Sequence, residues 1–216
     1  MQITIREPGS ALTHYIAMMM AMVAAVPLIT KAALTSGTTC MYAMCIFMIS
    51  MVLLYGASAT YHSVNLQGKA LKVFRKIDHM MIFVLIAGSY TPVCMIVLEA
   101  KTGYALLALV WGLALAGILI KAFWITCPKW FSSMIYIAMG WICIPVFGPL
   151  WSSLPKAAFL WLLIGGIFYT VGGVIYALKL KVFGGKYAFF GAHELFHVFV
   201  MLGSTCHFVF MYNYVA

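Results

Sequence analysis

The sequence predicts an all-α membrane protein, a seven-transmembrane helix bundle with a cytoplasmic N-terminus and the C-terminus outside. Three observations predict it. Hydrophobic residues make up 65% of the chain and charged residues 8%, with a mean hydropathy of +1.06, far outside the norms of soluble domains. The apolar runs are about 20 residues long, which suits helices that cross hydrocarbon and not barrel strands alternating over about ten positions. The basic residues are distributed unevenly: Arg6, Lys69, Lys72, Arg75, Lys76, Lys121, Lys129, Lys179, Lys181 and Lys186 fall on one side of the predicted spans, and Lys31, Lys101 and Lys156 on the other. Lys and Arg in short loops stay on the cytoplasmic side, so the N-terminal side is predicted to be cytoplasmic.

The first span, 11–30, is read as a membrane helix and not a cleaved secretory signal, because it is long, His14 interrupts its start, and no mature soluble sequence follows a small-residue cleavage pattern. Span 2, 40–63, closes with S-A-T-Y-H at 58–62. Span 3, 78–98, opens on Asp78 and His79, and Pro92 is expected to bend it. Span 4, 103–123, carries one charge, Lys121 near its end, and span 5, 133–151, is expected to bend at Pro145 and Pro149. Span 6, 157–178, carries Gly165, Gly166, Gly172 and Gly173 at a seven-residue recurrence, which lets helices approach closely; at that apolar depth a phosphate loop is excluded. Span 7, 188–214, contains H-E-L-F-H at 193–197. The whole of 1–216 reads as one seven-span unit, with too little chain for a folded extramembrane domain. The six cysteines show no C-x-x-C pairing and are expected to be free thiols. The formal charge of +9 is spread over loop ends that face anionic headgroups, so nucleic acid is not an expected partner.

The chemistry concentrates at one depth. His193 and His197, four positions apart, lie about 40° apart around a helix and can grip one metal ion. Ionisable groups in a membrane helix usually face a bundle interior and mark a site. With span 7 running outward and span 2 inward, His62 and Ser58 close at the cytoplasmic boundary where His193 and His197 begin, and Asp78 opens span 3 there. Three neutral imidazoles with one position left open suit catalytic zinc better than a closed structural site. Asp78, the only aspartate, is placed to accept a proton from water that zinc activates near neutral pH, and Ser58, one turn from His62, to orient a substrate carbonyl or to hydrogen-bond the aspartate. The residues also allow plainer roles. Asp78 can pair with Arg75 or Lys76, and Ser58 can bond a backbone carbonyl. His79 is expected at the interface, and His207, about 15 Å beyond His197, outside the site. H-E-L-F-H also matches the metalloprotease signature, but no aspartate follows Asp78 to supply a third ligand. Glu194 is expected to turn toward the helix near Glu7 and His14, bonding His14.

The set E-P-G-S-A-L-T-H at 7–14, S-A-T-Y-H at 58–62, D-H at 78–79 and H-E-L-F-H at 193–197 resembles the hemolysin III branch of the PAQR family, relatives of the adiponectin and progestin receptors. The resemblance covers essentially the whole chain. It implies seven spans, zinc held by His62, His193 and His197, Asp78 acting through water, and Ser58 as its polar partner. Alkaline ceramidases in the wider superfamily imply hydrolysis of lipid amides, and Glu194 in place of glutamine implies a bacterial member in an inner membrane. The expected function is zinc-dependent hydrolysis of a lipid amide or ester that reaches the site from the bilayer, with roles in membrane lipid homeostasis. The alternatives are a sensor of membrane state with a structural zinc, and a cytolysin.

Overall fold

In a computed structural model, described for residues 5–178 and 191–216, the chain is helical almost throughout and forms seven helices long and apolar enough to cross a membrane. In order these are α1 (Pro8–Thr35), α2 (Gly37–Ser63), α3 (Gly68–Pro92), α4 (Ala100–Phe123), α5 (Lys129–Gly140) with α6 (Phe147–Ser153), α7 (Lys156–Leu178) and α8 (Ala192–Phe210). The start of predicted span 7, and Lys179, Lys181 and Lys186, lie outside the described residues. Backbone groups in hydrocarbon must be satisfied within the segment, and a helix does so with one local bond per residue.

The apolar runs locate the spans but not their ends. α3 begins at Gly68, ten residues before the predicted start, so Lys69, Lys72, Arg75 and Lys76 ride on its first turns and are not in a loop. Hydropathy marks where a helix becomes too polar for hydrocarbon, not where its hydrogen bonding begins. A single residue separates α1 from α2; Gly37 takes φ +82 there, a left-handed conformation that favours glycine and permits so short a reversal.

Pro92 and Pro145 interrupt spans 3 and 5 as predicted, whereas Pro149 lies in the first turn of α6, beyond the break. α3 stops being α-helical at Pro92, whose missing N–H ends the regular ladder, and continues as a π-helical turn, Val93–Val97. Span 5 breaks after Gly140 and resumes through a 3₁₀ turn, Ile144–Val146, that contains Pro145. The Tyr90 hydroxyl repairs that break by donating to the Gly140 carbonyl at 2.7 Å and accepting from the Cys143 N–H at 3.1 Å. Pro27 lies within α1 without ending it.

Contacts run α1 to α2, α2 to α3, α3 to α4, α4 to α5, α5 to α7, α7 to α8 and back from α8 to α1, so the spans close into a ring. The outward faces are apolar, with Val23, Val26, Leu34 and Leu115 more than half exposed, as a lipid-facing surface requires. Ser58, His62, Asp78 and His197 are buried. The seven-residue glycine recurrence does bring helices close. A β-carbon at Gly165 would overlap the His207 ring of α8, one at Gly172 would press on Phe199, and one at Gly173 would crowd Ile137 of α5. Gly166 differs: nothing lies within 4 Å of where its β-carbon would be, and it borders a cavity inside the ring.

Candidate metal centre

α1 packs against both α2 and α8, and at one end of the ring His62 of α2 meets His193 and His197 of α8. His62, in the last turn of α2, places Nε2 3.2 Å from Nε2 of His193, in the first turn of α8. His197, one turn further along α8, completes a cluster in which one ligand nitrogen from each ring lies within 4.8 Å of the others.

The surroundings dictate which nitrogen each ring offers. Glu7, just before α1, contacts His62 Nδ1 with its carboxylate. A carboxylate accepts only, so Nδ1 carries the proton and Nε2 keeps its lone pair. Burial pushes the Glu7 carboxyl up, but the hydrogen bond from His62, together with Arg6, outweighs this and holds it below its ordinary value of 4.5. His197 follows the same logic. The Thr13 hydroxyl donates to the carbonyls of Ser10 and Gly9, at 2.9 and 3.1 Å, leaving its oxygen to accept from His197 Nδ1 at 3.1 Å. Two rings are thus fixed with Nε2 as the bare acceptor. Ligands on a tetrahedral ion with bonds of about 2.0–2.1 Å stand about 3.3 Å apart, so the His62–His193 spacing fits such an ion.

Asp78 lies outside the ligand cluster but lines the same cavity as His193 and His197. It pairs with neither Arg75 nor Lys76 among the described ion pairs; its Oδ2 lies 3.2 Å from His79 Nδ1. His79 is not among the clustered ligands, as expected, and it also borders the cavity. Side chains of adjacent residues diverge on a helix, but the short aspartate arm stays close to the backbone, where Nδ1 reaches it sideways. Ser58 lies beside Asp78, and its buried hydroxyl makes no aligned hydrogen bond. The contrast with its neighbours is informative, since Ser50, Ser63 and Ser89 all bond a carbonyl three or four residues back. Ser133 of α5 is a second buried hydroxyl without a partner on the cavity wall.

Glu194 does not bond His14. It accepts from Ser10 Oγ and from the Gly191 N–H at 2.8 Å, so it caps α8 and ties it to α1. Ser10 stands one turn closer to the helix start than His14 and meets the carboxylate first. His14 instead stacks on His197 with ring centroids 3.6 Å apart, and both of its nitrogens are buried without partners. His207 stays outside the ligand cluster and is buried, as expected of a core histidine. It also lies on the wall of the histidine cavity and of a second, adjoining one, its Nε2 donating to the Leu162 carbonyl at 3.3 Å. Depth along a helix does not exclude a residue from a cavity that runs along it.

Thr13, Ser10 and Ser133 were not singled out by sequence reasoning. Thr13 and Ser10 lie inside the E-P-G-S-A-L-T-H segment, which was the available signal. The cavity has about 140 Å³ of room for the centres of water-sized molecules, and its walls are largely apolar, with Ile82, Leu85, Ile86, Phe196 and Val200 among them.

A ring of seven apolar helices around a histidine-lined cavity defines a multi-pass membrane protein with a candidate metal centre. The family model described as "Haemolysin-III related" matches residues 2–208, and the chain belongs to that family. It is 38% identical over 206 residues to the "Hemolysin-3 homolog" of Bacillus subtilis, spanning 95% of this chain and 92% of that protein. It is 35% identical over 209 residues to "Hemolysin-3" of Bacillus cereus, spanning 97% and 91%.

Proposed function

We propose that the protein is a zinc-dependent hydrolase of a membrane lipid amide or ester, acting in membrane lipid homeostasis from a bacterial inner membrane with its N-terminus in the cytoplasm. The observation that carries this reading is that the rings with assigned protons, His62 and His197, keep Nε2 free while Nδ1 is held by an acceptor, next to a carboxylate and an unbonded serine on one cavity wall. His62, His193 and His197 would hold the ion. Zinc in such a set supplies a Lewis acid and makes hydroxide available near neutral pH.

This chain's own residues do the rest. Asp78 takes the proton from the attacking water and returns it to the leaving group. The Ser58 hydroxyl, with no backbone carbonyl to occupy it, donates to the substrate carbonyl and orients it. The apolar walls hold the lipid chain and keep bulk water from the reacting atoms. A lipid substrate reaches the cavity sideways, from the bilayer against the outer helix faces.

A second reading has the metal only tie α2 to α8 in a sensor of membrane state, and the position of the ligands on two helices favours it. Purified protein is assayed for metal content and for fatty acid released from ceramide-like and phospholipid substrates, beside Asp78→Ala. Hydrolysis predicts turnover in the parent and, in the variant, retained zinc with turnover lost. Zinc bound with no turnover in either chain favours the structural reading.

A further inference from the structure

A second cluster of reactive groups lies apart from the histidines, where the end of α4 meets the start of α5. Lys121 is 1% exposed, and its ammonium reaches Cys127 Sγ at 3.1 Å and Ser132 Oγ at 2.5 Å. Cys127 Sγ and Ser132 Oγ lie 3.2 Å apart, closing a triangle, and the ring of Tyr136 lies 5.8 Å from Nζ.

No carboxylate balances this buried cation. The chain has four acidic residues. Glu7 is engaged by His62 and Arg6, Asp78 by His79, and Glu194 by Ser10 and Gly191. Glu99 precedes the opposite end of α4, about 33 Å away at 1.5 Å per residue. A buried charge without a counter-charge is costly, and in membrane proteins such groups are rare and usually functional. A lysine serving only to anchor a helix end would extend to the headgroups, as long cationic side chains do at membrane surfaces. This one turns inward to a thiol. The contact holds nitrogen and sulfur within reach of each other, and the thiolate is the form of the sulfur that reacts.

The geometry points to a redox modification site in which peroxide joins Lys121 to Cys127 through a sulfur–nitrogen bond. The sulfur attacks one peroxide oxygen and the oxygen–oxygen bond breaks. The departing hydroxide takes a proton from the Lys121 ammonium and leaves as water, producing a sulfenic acid beside a free amine. The amine then forms a bond to sulfur, the sulfur–oxygen bond breaks, and the second hydroxide leaves as water with a proton from nitrogen. Sulfur loses two electrons, peroxide gains them, and the chain loses two hydrogens. Sulfenic acids condense with nitrogen in this way, and the product returns to amine and thiol when a small thiol reduces it. Cys127 is itself only 6% exposed, but it lies in the short connection between α4 and α5 with exposed Thr126 and Pro128 on either side, so an oxidant as small as peroxide has only a thin cover to cross. The Ser132 hydroxyl, within bonding distance of both atoms, holds them together.

The test is mass spectrometry of the full chain in lipid nanodiscs, digested after exposure to hydrogen peroxide. The expected result is a Lys121–Cys127 linked peptide lighter by two hydrogens, which dithiothreitol restores to the unlinked mass. Lys121→Met removes the buried charge and abolishes the link. Lys121→Arg keeps a cation but offers no free amine, so a sulfenic acid at Cys127 is trapped by dimedone and no link forms. Each variant is first checked for a monodisperse profile. A Cys127 that stays a thiol, proceeds to sulfinic acid unlinked, or reacts equally in Lys121→Met overturns the proposal.

Discussion

Thr13 and Glu7 do the same work from different chemistry: each gives a histidine Nδ1 an oxygen to bond and so leaves Nε2 bare. Partners of this kind typically contribute 10- to 100-fold to metal affinity. Thr13→Val, which keeps the shape and removes the acceptor, is expected to weaken metal binding by about that factor in a chelator competition, and an unchanged affinity would contradict the tautomer assignment. Acid should release the metal, because protons compete for the ligand nitrogens. Glu7 works at lower pH. Its folded pKa is depressed, so its contribution is fully present above its ordinary value of 4.5 and is lost as pH falls through the lower folded value. Glu7→Gln is therefore expected to weaken metal retention at neutral pH, measured by metal content after dialysis. The three clustered histidines were legible in the sequence because i, i+4 spacing and a common depth are one-dimensional properties. The partners were not, because Thr13 meets His197, and Ser10 takes the Glu194 carboxylate, only through the angle at which α1 packs on α8.

At the level of helices, the interruptions are satisfied by named side chains. Tyr90 holds both ends of the break in span 5, so Tyr90→Phe leaves the Gly140 carbonyl and the Cys143 N–H without that partner. A loss of about 0.5–1.5 kcal/mol is expected, read as earlier thermal unfolding in detergent. Unfolding at the parent temperature would mean that water serves that backbone equally well. The number of spans and the prolines at 92 and 145 were readable because hydropathy and the missing proline N–H act locally. The early start of α3 was not, since a helix carrying Lys69 to Lys76 at a membrane surface has the composition of a loop. Among the four glycines of span 6 the pattern was informative, but it could not tell which face each occupies: Gly165 meets His207, whereas Gly166 opens on the cavity.

In the molecule as a whole, a closed ring of helices encloses a largely apolar cavity with His193, His197 and Asp78 on its wall. The proposed lipid hydrolysis depends on that space staying open. Gly166→Phe puts a ring where no atom lies within 4 Å of a β-carbon, so the fold and the metal are expected to remain while lipid turnover falls to background. Turnover at the parent rate would remove the cavity from the account. Everything at this scale depends on the histidines sharing one ion, and the direct measurement is metal content per chain by elemental analysis, for the parent and for His62→Ala, His193→Ala and His197→Ala purified alike in detergent. The account predicts one zinc per parent chain and loss of that zinc in each variant. A parent without metal, or variants that keep it, would contradict it.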